Sequence, residues 1–190
     1  MENLTKKSTR GKNPLEIKRK LIILLLTLSS VATLAQSIPD KEHQIKAIFL
    51  YNITQFVRWP KDSFSEINSP LVIGILGNNP FGNYLSEVIQ GEAVENHPLI
   101  VRYLDNIDEV KDCHLLYVNE DNLQKLQFIF ESLKFAPILT IGESEFFYKN
   151  GGMVQLYTKK GKVRIKINLE TLKTSLLDVS ATLLQIADVD

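Results

Sequence analysis

The run Leu71-Val72-Ile73-Gly74-Ile75-Leu76 constrains the fold of this chain more than any other stretch. Successive strand side chains point to opposite faces, so an unbroken apolar run rich in β-branched residues is stable only where both faces are covered. An open hairpin sheet, with one face in water, would instead alternate apolar and polar residues. Further apolar strands are expected at Pro98 to Leu104, His114 to Val118 and Pro137 to Ile141. Helical patterns lie between them. Tyr84, Leu85, Val88 and Ile89 fit a short helix, and Asp121 to Leu133 fits a longer one. Asp121 is its expected cap, and Leu123, Leu126, Ile129, Phe130 and Leu133 its buried stripe. A helical turn is expected at Glu143 to Tyr148.

Upstream, Lys41 to Trp59 reads as a helix whose Ile45, Ile48, Phe49, Ile53, Phe56 and Val57 share one face, ended by Pro60. Downstream, Met153 to Thr158 and Val163 to Asn168 flank Lys159-Lys160-Gly161-Lys162, a hairpin signal with glycine at a positive-φ position. Val163, Ile165 and Ile167 alternate with Arg164 and Lys166, giving one dry and one wet face. Helical segments from about Leu169 close the chain. The expected architecture is a single-domain α/β sandwich: a mixed sheet of about six strands flanked by helices, with a C-terminal hairpin and closing helix.

The chain's 22 basic and 22 acidic residues cancel, but not uniformly. Residues 1–35 carry seven basic and two acidic groups, so residues 36–190 are net acidic by five. Lys18-Arg19-Lys20 runs directly into the apolar stretch Leu21 to Leu28, followed by small residues up to Ala35, the layout of a secretory signal peptide. Leu21 to Ala35 is shorter than the about 20 residues a membrane-spanning helix needs. Cleavage is expected after Ala35, leaving residues 36–190 as one exported, mildly acidic domain. A domain of that size buries roughly 70% of its unfolded surface and needs no disulfide or metal. Its acidity argues against a nucleic-acid partner.

The loop Gly77 to Gly82, GNNPFG, follows the buried strand and precedes a helix, where α/β proteins place ligands. Gly77, Asn78, Asn79, Phe81 and Gly82 are therefore candidate binding residues, although the loop lacks the P-loop ending and the dinucleotide glycine spacing. Gly142, Gly151 and Gly152 are further candidates at strand ends. Arg164 could clamp a carboxylate or phosphate, or simply sit on the solvated strand face. The histidines His43, His97 and His114 show no metal-site spacing. Ser144 in GESE lacks the second glycine of a nucleophile elbow. Cys113 and His114, being neighbours on a strand, face opposite ways, which favours a buried structural cysteine. Trp59 suits the edge of the core. No catalytic, metal or cofactor residue is assigned, and binding is favoured over catalysis.

The strings AIFLYNITQFVRWP, LVIGILGNNPFG, CHLLYV, LTIGE, GGM and VRIKIN, closed by a leucine-rich helical segment, occur in one order. In that order, over about residues 42–189, the chain resembles the YfiR family of bacterial periplasmic proteins. The resemblance implies an α/β sandwich and a regulatory role. The founding type binds the periplasmic part of an inner-membrane diguanylate cyclase, represses it, and lowers cyclic di-GMP and biofilm formation. Related domains look to be associated with histidine kinases, so a small-molecule sensor serving another membrane protein is the alternative expectation. Homodimer formation stays open. The founding type carries paired cysteines linked to redox sensing; this chain has Cys113 alone, which excludes an internal disulfide.

Overall fold

A computed structural model describes residues 39–189, so the leader expected over residues 1–35 lies outside the described residues. In chain order the elements begin with α1 (Lys41–Thr54), β1 (Val57–Arg58), β2 (Leu71–Gly77), α2 (Tyr84–Val88), β3 (Ala93–Val94) and β4 (His97–Leu104). They continue with β5 (Leu115–Asn119), α3 (Leu123–Ser132), β6 (Leu139–Gly142), α4 (Glu145–Lys149), β7 (Val154–Lys159) and β8 (Lys162–Ile167). The chain ends in α5 (Leu169–Leu172), β9 (Asp178–Val179), α6 (Ala181–Ile186) and β10 (Asp188–Val189).

An eight-stranded mixed sheet runs in the order β10-β8-β7-β6-β5-β2-β4-β3. β2 lies parallel to both β4 and β5, and β5, β6 and β7 continue the parallel set, while β7 and β8 form an antiparallel hairpin. The double burial expected of β2 is evident in its alternation. Leu71, Ile73 and Ile75 enter the core shared with α1, α2 and the C-terminal helices; Val72 and Leu76 enter the core shared with α3 and α4. Each large apolar side chain buried in this way stabilises the fold by about 1.5–3 kcal/mol.

The six longer strands are those expected from the sequence; β3 and β10 add two-residue edges, and β1 pairs with β9 in a separate ribbon. α1 stops at Thr54 rather than near Trp59, because Val57 and Arg58 pair with Val179 and Asp178. The expected closing helix is broken into α5 and α6 by the same pairing. The cap of α3 is Asn122, whose side chain accepts from the Lys125 amide, not Asp121. Of the expected α3 stripe, Leu126, Ile129 and Leu133 are buried, with Leu123 and Phe130 at its margin. The buried face of α1 also differs from its periodicity. Lys46, Ala47, Leu50, Ile53 and Thr54 face inward, and Ile45 and Ile48 are 36% and 39% exposed.

At the amino end of the parallel strands, His114 is built into the backbone ladder. Its Nδ1 accepts from the Val72 amide at 3.1 Å, which leaves the ring proton on Nε2, 3.1 Å from the Ser63 carbonyl. Trp59 sits at the core margin and donates its indole N–H to the His114 carbonyl at 2.9 Å. Phe64 stacks on both His97 and His114, with centroids 3.6 and 4.4 Å away. Burial holds the His114 pKa below its ordinary value, against a smaller opposing contribution from the Ser63 carbonyl. The unfolded chain therefore takes up a proton below about pH 6.5 that the folded chain resists, so this contribution to stability is present above that pH and lost as pH falls. Denaturant unfolding from pH 7 downward should show declining stability, and His114→Asn, which keeps an acceptor for Val72 without titrating, should flatten the decline; an equally steep decline in the variant would remove His114 as its source.

Gly74 is the second tight point. A Cβ there would lie 2.7 Å from the Cys113 sulfur and 2.9 Å from Leu104 Cδ1. Burial raises the Cys113 pKa to about 11, so the thiol is protonated and packs as an apolar group. Gly74→Ala is expected to cost about 1–3 kcal/mol by urea unfolding; an unchanged midpoint would show that the Cys113 side of the core yields freely.

Candidate functional site

The parallel strands β4-β2-β5-β6-β7 follow the doubly wound order in which the chain's direction of winding reverses between β2 and β5. Ligand crevices form outside the carboxyl ends of the strands at such a reversal. Here β2 ends at Gly77 and β5 at Asn119, and the two ends are pinned together by the Asn119 side-chain amide donating to the Asn78 carbonyl at 2.9 Å. Gly77 has φ of 90°, and a Cβ on it would strike the Asn119 carbonyl. The close approach of the two strand ends needs glycine there.

A cleft of about 430 Å³ opens at this point, lined by His43, Asn78, Pro80, Tyr117, Asn119 and Glu143 among others. A second, more apolar groove of about 490 Å³ lies across Glu120, between Leu76, Asp105, Ile107 and Phe128. Glu120 borders both; its carboxylate accepts from the amides of Asp121 and Asn122 and pairs with Lys125 at 2.9 Å.

The floor of the first cleft is a polar network. Glu143 follows directly on the carboxyl end of β6; its Oε2 meets Lys46 Nζ at 2.6 Å and its Oε1 accepts the Tyr117 hydroxyl at 2.7 Å. Lys46 also pairs with Glu42 at 2.6 Å, and His43 Nε2 lies 3.7 Å from Glu143. The Gln155 side chain donates to the Glu143 carbonyl at 2.9 Å. Burial works against the charge on Lys46, which is 3% exposed, but the bonds from Glu143 and Glu42 outweigh it and raise its pKa. Burial, reinforced by Glu143, also raises the pKa of Tyr117. Lys46 is thus a fixed cation and Tyr117 a neutral phenol at physiological pH. Neither is poised as a base, and both hold the Glu143 carboxylate in place. The arrangement is suited to holding a small polar molecule by hydrogen bonds.

The expected site residues have different surroundings. Gly77 borders the apolar groove and Asn78 the polar cleft. Asn79 and Gly82 fold the loop: Asn79 accepts from the Phe81 amide and donates to the Gly82 carbonyl, both at 2.9 Å. Phe81 is fully buried, edge-on to Tyr117 at 4.8 Å. Gly142 and Gly152 lie against the ring of Phe147, where a Cβ on either would collide, and Gly151 faces Phe130. Arg164 is exposed on the β7–β8 hairpin, away from the cleft lining. Ser144 caps α4 by accepting from the Phe147 amide at 3.0 Å. Among the described residues no cluster of three or more His, Cys, Asp or Glu could hold a metal ion, and no helix is long and apolar enough to cross a membrane.

Lys46, Tyr117 and Glu143 escape a reading by motif because 97 residues separate the first from the last. Two signals exist in the sequence. Lys46 interrupts an otherwise apolar helix face, and Glu143 immediately follows a buried strand.

Lys46→Met should cost about 1–3 kcal/mol, because it leaves a partly buried carboxylate without its cation. Adding Glu143→Gln should recover part of that loss in a double-mutant cycle read by urea unfolding; simple additivity of the two losses would mean that the pair is not coupled.

Compared with known proteins, the chain matches the family model described as YfiR/HmsC-like over residues 43–188. No curated protein matches it.

Proposed function

The chain belongs to the YfiR/HmsC-like family, and from that membership we propose that it is an exported regulatory protein which binds the periplasmic part of an inner-membrane diguanylate cyclase and represses it. The observation that carries this reading is the extent of the match, residues 43–188, which runs from the third residue of α1 to the first residue of β10. The family is regulatory rather than catalytic and periplasmic in general. Cys113 is a buried thiol, Ser144 a helix cap and His114 part of the strand ladder, so each has a structural role in the fold.

Repression of this kind is a coupling free energy. The domain binds the inactive state of its partner more tightly than the active one, and so lowers cyclic di-GMP. The cleft beside Glu143 favours a second, compatible reading, in which a small polar ligand in that cleft changes the domain's affinity for its membrane partner. A partner of another class, such as a histidine kinase, would be regulated by the same device.

Removing the protein from its host should raise cyclic di-GMP and surface adhesion, and crosslinking in intact cells should recover a membrane diguanylate cyclase. Unchanged cyclic di-GMP, with a kinase recovered in place of a cyclase, would transfer the reading to the kinase.

A further inference from the structure

The β7–β8 hairpin carries a concentration of positive charge at its tip, outside the cleft, while Lys166 at its base lies over the Tyr148 ring at 4.4 Å. Residues 36–190 are net acidic by five, yet residues 159–166 hold Lys159, Lys160, Lys162, Arg164 and Lys166 and no acid. Antiparallel pairing sets Lys159 opposite Lys162 and Tyr157 opposite Arg164, so these cations share one face. The other face, with Leu156 and Ile165, is in the core. Like charges directly opposite one another destabilise a hairpin, and among the described residues no carboxylate forms an ion pair with Lys159, Lys160, Lys162 or Arg164. Asp188 accepts the Tyr157 hydroxyl and shares with these cations a depression of about 290 Å³, and the Glu42 carboxylate accepts a hydrogen bond from the Thr158 side chain of β7.

Position adds a second observation. Gly142, the last residue of β6, pairs with Gln155, so β7 continues to Lys159 for four residues beyond the end of its parallel neighbour. At a rise of about 3.3 Å per residue the hairpin stands roughly 13 Å beyond the end of β6. It projects from the carboxyl edge on which the cleft opens. The two-residue turn, with Lys160 and Gly161 at φ of 53° and 71°, is the tight form that keeps such a ribbon stiff.

We propose that this hairpin docks on an anionic phospholipid surface through Lys159, Lys160, Lys162 and Arg164, bringing the carboxyl edge towards the membrane. The chemistry of the patch favours a lipid surface over a protein one. Protein interfaces centre on buried aromatic and aliphatic anchors and are depleted in lysine, whereas the exposed side chains here are cationic and mostly lysine. Flexible ammonium groups on a protruding tip suit diffuse attraction to a layer of phosphate headgroups, which acts within a Debye length. The inference does not depend on which membrane protein the domain regulates.

The test uses residues 36–190, which contain the whole compact unit of residues 37–190 apart from the leader. Co-sedimentation is measured with vesicles of phosphatidylglycerol and phosphatidylethanolamine and with vesicles of phosphatidylcholine alone. The expected result is binding about tenfold stronger to the anionic vesicles, abolished by K159E/K162E and by about 0.5 M salt. K111E/K134E, an equal change of charge at exposed sites elsewhere, should keep the preference, and matching unfolding midpoints exclude a folding defect. Equal binding to both vesicle types, or equal losses in the two double variants, would overturn the proposal. So would a K159E/K162E variant that loses crosslinking to its protein partner while vesicle binding is absent in the parent, which would assign the patch to an acidic protein face.

Discussion

Burial of β2 on both faces is the constraint from which the remaining structure follows. Its odd- and even-numbered side chains enter separate cores, so helices must cover both sides of the sheet. That requirement is met by crossover connections, which make the neighbouring strands parallel and gather their carboxyl ends along one edge. The cleft is a consequence of this gathering. Where winding reverses between β2 and β5 no crossover covers the edge, and the strand ends are free to be lined by Asn78, Asn119 and Glu143.

The Lys46–Glu143 pair acts on a different scale. A buried ion pair adds little net stability over apolar packing, since desolvation offsets most of its Coulombic gain. Its effect is on orientation. Ile45, Ile48, Phe49 and Ile53 share one face of α1, and Ala47 and Leu50 extend the apolar surface onto the next face. Hydrophobic burial alone leaves several rotations nearly equivalent. The carboxylate of Glu143, just past β6, is compatible with one of them, in which Lys46 turns inward and Ile45 and Ile48 turn outward.

This explains which parts of the structure were legible in the sequence. The six longer strands were, because β2, β4, β5, β6, β7 and β8 are specified by their own apolar runs or alternation. The buried face of α1 was not, because its apolar residues occupy two adjacent faces and periodicity alone does not choose between them. β1, β9 and β10 were illegible for another reason: two-residue strands exist only through the partners that tertiary packing brings to them. The cleft lies beside Asn78, in the loop that follows a buried strand and that the sequence singles out. Its floor was not legible, since Lys46, Tyr117 and Glu143 meet only after the sheet has formed. The remaining candidate glycines had the right residue type for the wrong reason: Gly142 and Gly152 make room for Phe147, not for a ligand.

The single cysteine shows how the same packing limits regulation. Cys113 lies against the bare Cα of Gly74, buried between β2 and the core beneath α3, with its thiol protonated at neutral pH. Oxidation proceeds through the thiolate and requires access, and this site provides neither. A disulfide to a partner molecule would require the strand pair β2–β5 to open, at the cost of the two-faced burial on which the fold rests. The groups that can respond to the surroundings without disturbing that core lie along the carboxyl edge: the Glu143 carboxylate and His43 in the cleft, and the lysines of the projecting hairpin. Those groups are accessible while the sheet stays intact, whereas Cys113 is not.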